Sequence, residues 1–457
     1  MLSKRNGHLY IEDCNCNDLA AQFGTPLNVL SENQLRNNYR AWKNALSAAW
    51  TAGPVNILPS VKSNLTLATR HILSEEGAGC DTFGASELFM ALQCGVNPEL
   101  ISVNGSSKSR ALLNQAIAVG AKITIDNPAE LPVIQEEATK IGKTAKVRFR
   151  LRLRNPDLNE ATDFLETEVP IKEILRIYKP GIPFEQAVHL GKKALAFPNV
   201  DLIGVHIHIA RNTHRLFFWE KGIQNLVEMI ADFHQAWDGW MPKEIDLGGG
   251  FAIQEDPSAK GIERVAESIH AEAIPGIKVY AESIATLLKT QLEKHNLNPE
   301  GITLEVEPGR AMYGNIGIHL SQVKGLKSET KPVPWKWVEV DTTALFLSSI
   351  VYEHSIHPHI IANKANVAIE DVADIVGISC TFDRIKGQAQ LPKVEKGDIV
   401  AFLNTGAYED AWSPNFNALP RPATVLVKGH QAEIIKRRET IEEVFGRDLV
   451  PKRFVVT

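Results

Sequence analysis

The sequence predicts an α/β protein in two parts, a (β/α)8 barrel and a mostly β domain after it. Three observations point that way. Between about residue 31 and residue 315, short apolar strands alternate with amphipathic helices. Such alternation argues for parallel strands joined by crossover helices. The strands are Val55–Leu58, Cys80–Thr82, Ile101–Val103, Lys122–Ile125, Val147–Leu153, Leu202–His208, Glu244–Leu247 and Thr303–Val306. Eight of them over this length suit a closed barrel better than an open sheet. After residue 315 the long helical patterns stop. Short strands with turn signals replace them: Ile318–Val323, Trp337–Asp341, Asp374–Gly377, Asp398–Phe402 and Thr424–Val427.

The chain opens on a short strand and a helix start at Asp18–Phe23, broken by Gly24-Thr25-Pro26. Leu27–Leu30 reads as a strand, and Ser31 caps the next helix with Gln34 as its capping-box partner. The expected division is residues 1–30, a segment that joins the β domain; 31–315, the barrel; and 316–457, the β domain. Of the 457 residues, 44% are apolar and 23% charged, the balance of an ordinary globular protein. A net charge of -5 argues against a nucleic-acid partner. No apolar run is long enough to span a bilayer, and the N-terminus lacks a secretory segment. The expectation is a cytoplasmic protein. Five scattered cysteines, Cys14, Cys16, Cys80, Cys94 and Cys380, suit a reducing compartment better than a disulfide framework.

In such a barrel the chemistry gathers at the carboxyl ends of the strands. One lysine, Lys62, follows the first strand in Ile57-Leu58-Pro59-Ser60-Val61-Lys62-Ser63-Asn64. Burial there would favour the neutral amine, a nucleophile that condenses with aldehydes. The plainer reading is a lysine that reaches to the surface. Asp246-Leu247-Gly248-Gly249-Gly250-Phe251 is a strand and three glycines, either a tight loop or a phosphate cradle. In Glu305-Val306-Glu307-Pro308-Gly309-Arg310 the two glutamates share a face. They could form local ion pairs, or Glu307 could hold a proton on a heterocyclic nitrogen while Gly309 and Arg310 meet a phosphate. His206 and His208 share a face of the sixth strand. They suit a metal, core packing, or an imidazole against a flat cofactor; without an acidic partner in view, no metal site is assigned. Arg148, Arg150, Arg152 and Arg154 also alternate on one face, as for ion pairing against helices. Taken alone, Cys380 and Tyr408 read as core residues.

Together these stretches resemble one family, in family order, over almost the whole chain. It is the fold-type III pyridoxal-phosphate decarboxylases: the diaminopimelate, ornithine and arginine decarboxylase group, related to alanine racemase. The matching pieces are Phe23-Gly24-Thr25-Pro26-Leu27, Ser60 to Asn64, Gly77-Ala78-Gly79-Cys80-Asp81, Ala85-Ser86-Glu87-Leu88, His206 to Ile209, the triple glycine, Glu307 to Arg310, Cys380 and Gly406-Ala407-Tyr408. The resemblance implies an alanine-racemase-like barrel with pyridoxal 5'-phosphate carried on Lys62. His208 would stack on the ring, and Glu307 would keep the ring nitrogen protonated. Gly248, Gly249, Gly250, Gly309, Arg310 and Tyr408 would bind the phosphate, with Asp81 and Glu87 supporting the lysine. Cys380 would come from the partner subunit of a homodimer with shared active sites. It would deliver a proton to Cα of the amino-acid substrate after CO2 leaves.

The chain departs from its relatives in places. Ala210-Arg211 replaces the Gly-Ser that usually helps hold phosphate, so Arg211 would meet either phosphate or a substrate carboxylate. Thr381, with Asp383 close by, replaces the acidic residue that usually follows the cysteine. Ser349 stands near the place of the arginine that diaminopimelate enzymes use for the far carboxylate. Asp341 and Tyr352 lie in the same stretch, Asp341 as a possible match for the diamine-binding aspartate. The expected reaction is decarboxylation of a non-standard amino acid or biosynthetic intermediate. The rival readings are a racemase or epimerase of the same fold and a non-catalytic carrier of the cofactor.

Overall fold

The computed structural model describes residues 1–153, 179–209, 216–253, 274–353 and 355–454. The chain divides into two compact units, Leu35–Gly314, and Met1–Gln34 together with Asn315–Thr457.

The first unit is the barrel. Its strands are Val55–Ile57, Cys80–Thr82, Ile101–Val103, Lys122–Ile125, Ala145–Arg150, Val200–His206, Glu244–Asp246 and Thr303–Val306. All pair in parallel, and from the second to the eighth each is bonded to its successor along the chain. The eighth returns to the first. The circle is closed beyond the end of the first strand by a bridge from Ser60 to Asp81. The expected barrel is thus present, with the fifth and sixth strands beginning and ending a few residues earlier than the sequence suggested. Apolar side chains of alternate residues, such as Ile123, Ile125, Val147 and Phe149, are buried. Helices flank the strands with their own apolar stripes. Leu216–Ala236, for example, buries Phe218, Trp219, Ile223, Leu226, Ile230 and Phe233 at helical spacing.

The residues between those alternate positions are polar. Barrels are usually filled with branched aliphatic side chains; this one buries Lys122, Arg148, Glu244, Asp246 and Glu305. Lys122 lies 2.5 Å from Glu305 and 3.2 Å from Glu244. Arg148 pairs with Glu305 and Asp246, each at 2.6 Å, and its Nε donates to Thr124 at 2.7 Å. The arginine face expected against helices is therefore, at Arg148, a fully buried ion network among strands. A period of two places side chains on one face without saying whether that face looks in or out. Arg154 lies outside the described residues.

The second unit centres on strand Leu27–Ser31, antiparallel to Gly317–Glu329 and parallel to Ala423–Lys428. The N-terminal strand is thus threaded into the β unit. Further strands are Trp335–Val340, His359–Ile361, Asp371–Val376, Arg384–Leu391, Ile399–Leu403 and Gln431–Lys436. The sequence reading missed His359–Ile361, Arg384–Leu391 and Gln431–Lys436. The last two are half-polar, and each is half of an antiparallel pair, with Asp371–Val376 and Ala423–Lys428 respectively. Pairing of this kind stabilises strands that local pattern does not announce. Ser31 caps the helix Glu32–Ala49: its Oγ accepts from Gln34 N–H at 3.0 Å. Among the described residues no helix is long and apolar enough to cross a membrane.

Candidate active site

Lys62 lies in a single 3-10 turn, Val61–Ser63, just past the first barrel strand. Its Nζ donates to Ser60 Oγ at 2.6 Å and to Asp81 Oδ2 at 2.8 Å. The side chain is 46% exposed. The expectation of a desolvated amine is therefore corrected: the lysine is held by an ion pair in an open position, because the chain turns away after Pro59. Asp81 is buried at the end of the second strand. Burial pushes its carboxyl up, but Lys62, with the Ser60 hydroxyl and the Asn104 amide, holds it well below the usual carboxylate range. Asp81 is thus a fixed anion under the amine. Glu87 lies partly buried on the next helix, accepting from Phe83 N–H at 2.6 Å; burial and the Asp81 charge push it up to about 7.

A chain of contacts leads on from there. Asn104 Nδ2 donates to Asp81 Oδ1 at 2.7 Å and to Glu307 Oε1 at 2.5 Å. Glu307 Oε2 lies 3.3 Å from His206 Nε2. Lys62, Asp81, Asn104, Glu307 and His206 therefore form one connected set drawn from five strand ends. Burial and the nearby Asp81 charge push Glu307 up to about 7, against the lowering by Arg148, whose Nη2 is 3.7 Å away. Burial and the neighbouring arginines lower His206 to about 3, so its imidazole is neutral. His206, Asp246 and Glu307 offer ligand atoms within 4.8 Å of one another. The sequence reading found no acidic partner for the histidine pair; the fold brings two to His206. Arg148 already pairs with Asp246 and faces Glu307, so the cluster is part of the ion network.

The glycine loop packs against this set. Gly248 adopts φ +69°, and a Cβ there would meet Ile207 O at 2.6 Å and His208 Nδ1 at 2.9 Å. A Cβ on Gly249 would meet Glu307 O at 2.4 Å. Only glycine lets the backbone pass so close. Gly250 adopts φ +96°. Gly249 N–H donates to His208 Nδ1 at 3.3 Å, which fixes the tautomer and plane of that ring. Burial, together with Arg150 and Lys62, holds His208 well below its ordinary value, hence neutral. Gly248 N–H donates to Asp246 Oδ1 at 2.8 Å, and Glu307 N–H donates back to Gly248 O at 2.8 Å. Gly309 precedes the short helix Arg310–Tyr313, and Arg310 is buried. Arg211 lies outside the described residues.

The β unit holds the remaining candidates. Cys380 is exposed, in a loop between Asp371–Val376 and Arg384–Leu391. Thr381 Oγ1 lies 2.8 Å from Ser379 Oγ and accepts from Asp383 N–H at 3.2 Å. Asp383, expected at the substrate, is buried instead. Its Oδ1 accepts from Thr343 Oγ1 and Ala344 N–H at 2.9 and 2.7 Å, and its Oδ2 from Ser379 N–H at 2.7 Å. Asp341 is likewise occupied by the fold: it accepts from Thr25 Oγ1 at 2.6 Å, Ser321 Oγ at 2.9 Å and Gln322 N–H at 2.8 Å. Both aspartates hold loops and strands together, which no local sequence signal reveals. Tyr352 is exposed, and Tyr408 is partly buried in a left-handed conformation, φ +69°. Both rings lie beside Trp412, with centroids 5.6 and 5.1 Å away. Ser349 bonds to the buried Glu409 and lies 3.1 Å from His357 Nε2.

Asn104 and Asp246 were missed as site residues. Both lie at the carboxyl end of a barrel strand, a signal that the sequence carried but that needs the strand register to be used.

A barrel that presents a lysine on a carboxylate at one strand end, and a proton-holding glutamate at another, defines a class: enzymes that work through a lysine-bound carbonyl cofactor. Comparison with known proteins narrows this. The model of the pyridoxal-dependent decarboxylase pyridoxal-binding domain matches residues 32–314, and the chain belongs to that family. It is a pyridoxal-phosphate-dependent amino-acid decarboxylase. The diaminopimelate decarboxylase of Archaeoglobus fulgidus is 29% identical over 453 residues, 99% of each chain. That of Aquifex aeolicus is 30% identical, over 97% of this chain and 96% of its own. The crystal structure of the Methanocaldococcus jannaschii diaminopimelate decarboxylase with L-lysine superposes with a TM-score of 0.87 at 26% identity, over 100% of this chain and 99% of that one. The residues present fit the cofactor. Lys62 offers an exposed amine for an aldehyde beside the buried Asp81, and Glu307, near 7, can carry a proton for a ring nitrogen.

Proposed function

We propose that this enzyme decarboxylates an α-amino acid whose far end is uncharged or conjugated, rather than free diaminopimelate. The observation that carries the reading is the pairing of Ser349 with Glu409 and His357, near where diaminopimelate enzymes use an arginine for the far carboxylate. The nearby acids do not replace the family's charged contacts either, since Asp341 and Asp383 are occupied by the fold. Thr381 and Tyr352 remain as polar and aromatic surfaces for that end.

Within this reading Lys62 carries the cofactor, and Asp81 orients the amine and balances its charge whenever it is protonated. Pyridoxal phosphate, when bound, supplies an electron sink for the pair released as the Cα–carboxylate bond breaks. Glu307 holds the proton that keeps the ring nitrogen cationic, steadied by Asn104. His208, neutral and fixed by Gly249 N–H, offers a flat face without adding charge. Gly248, Gly249, Gly250, Gly309, Arg310 and Tyr408 bind the phosphate, with Arg211 assigned to phosphate or substrate. Cys380, from a second copy of the chain, gives its proton to Cα.

A panel of meso-diaminopimelate, lysine, ornithine, arginine and side-chain-acylated diamino acids, followed by CO2 release, tests the substrate. The expected result is a kcat/KM for an acylated member at least about 100-fold above that for meso-diaminopimelate, as for a charged end left without its partner. Preference for meso-diaminopimelate, the substrate that the names of the relatives suggest, would overturn it.

A further inference from the structure

We infer that Asn417 is a positioning residue for the proton-delivering thiol, an assignment that rests on Cys380 acting as the proposed donor. Asn417 grips Cys380 at two points. Its Oδ1 accepts from Cys380 N–H at 2.9 Å, and its Nδ2 donates to Cys380 Sγ at 3.2 Å. The first contact fixes the loop, and the second aims the sulfur. Asn417 itself sits at φ 56°, ψ 21°, a left-handed conformation that asparagine tolerates better than most residues. The turn bearing it is pinned from behind. Asn415 Nδ2 donates to Glu439 Oε2 at 2.5 Å, and Arg421 pairs with Glu439 at 2.8 Å. The opposite side of the pair is equally fixed, since Asp383 ties Ser379 N–H and Ala344 N–H to one carboxylate. An exposed cysteine with free rotation would sample several rotamers; this one is clamped from both sides.

The second contact has a chemical consequence. In the protonation step the S–H bond breaks and the proton goes to Cα. The electron pair left there by the departing carboxylate forms the new C–H bond, and the S–H electrons stay on sulfur as a thiolate, later reprotonated from water. A donor to sulfur gains strength as that charge develops, because charge-assisted hydrogen bonds are about twice as strong as neutral ones. Asn417 therefore stabilises the step more than the resting thiol, and interactions of that kind raise kcat. It also leaves the S–H as the donor of Cys380 that Asn417 does not take.

Asn417→Asp separates the two contacts: it keeps an acceptor for Cys380 N–H and tolerates the backbone, but has no donor for sulfur. Asn417→Gly, also suited to φ 56°, removes both and guards against a folding failure of the first. Reaction in D2O, with the configuration of deuterium at Cα of the amine read by NMR after chiral derivatisation, reports on positioning. Both variants are expected to lose about 10- to 100-fold in kcat with KM within about twofold of wild type. Cofactor affinity should be unchanged, and the deuterated amine should lose its single handedness. Asn417→Asp with wild-type kcat and handedness would reduce Asn417 to a loop anchor and overturn the inference. Cys380→Ala run in parallel separates the causes. If it too keeps rate and handedness, the donor role of Cys380 fails and the inference with it; if it alone is impaired, only the inference fails.

Discussion

At the scale of single residues, the environment of each ionisable group decides its use. Lys62 and Glu307 are both tied to Asp81, the first directly and the second through Asn104. Lys62→Ala should abolish the visible absorbance band of bound pyridoxal phosphate; an unchanged spectrum would refute Lys62 as its carrier. Glu307 titrates near 7 in the folded chain against an ordinary value of 4.5. The folded state therefore keeps a proton that the unfolded state releases between those two pH values. Stability from this group is greatest below about 4.5 and falls as pH rises to 7, by on the order of 3 kcal/mol at most. Asp246, also pushed up by burial and by Glu307, adds in the same direction. Glu307→Gln cannot ionise, so the cofactor-free variant should melt above wild type at pH 8 and show little or no gain at pH 5. Equal differences at both pH values would mean that Glu307 is not raised.

At the scale of elements, the glycine loop after the seventh strand does two jobs with one backbone. It fits between His208 and the Glu307 carbonyl, and its Gly248 and Gly249 amides hold the Asp246 and His208 side chains in place. Gly249→Ala places a methyl group 2.4 Å from Glu307 O, so loop and glutamate must separate. Cofactor affinity, measured by absorbance titration, should weaken by about 10-fold or more, a loss of at least ~1.4 kcal/mol. Retained affinity would remove the loop from the proposed phosphate site. The ion network below has a related logic. Lys122 and Arg148 each serve more than one carboxylate, so that no buried charge stands alone at a position where an unpaired one would cost several kcal/mol.

At the scale of the whole molecule, the chain is two units, one holding Lys62 and the other Cys380. If a second copy supplies Cys380, neither Lys62→Ala nor Cys380→Ala should work well alone. Mixed and exchanged in equal amounts, the two variants should recover about a quarter of wild-type activity, because half of the dimers would carry one intact site of two. No recovery from a sample shown to exchange subunits would argue that each chain completes its own site.

The sequence by itself determined the barrel and the ends of its strands to within a few residues, and its resemblance to one family singled out Lys62, Asp81, the glycine loop and Glu307, which the fold brings together. These follow from period-two burial, from glycines at close approaches and from motifs local enough to read along the chain. Only the tertiary structure decided what those residues touch. Asn104, which also holds Asp81, reaches Glu307 across 203 residues, and Asn417 reaches Cys380 across 37. The alternating arginine strand turned inward at Arg148, and Asp341 and Asp383 turned out to be spent on the fold. A side chain's partners come from strand register and loop closure, which bring together residues distant along the chain. A pattern of residue types can say which face a side chain is on, but not which charge will stand opposite it.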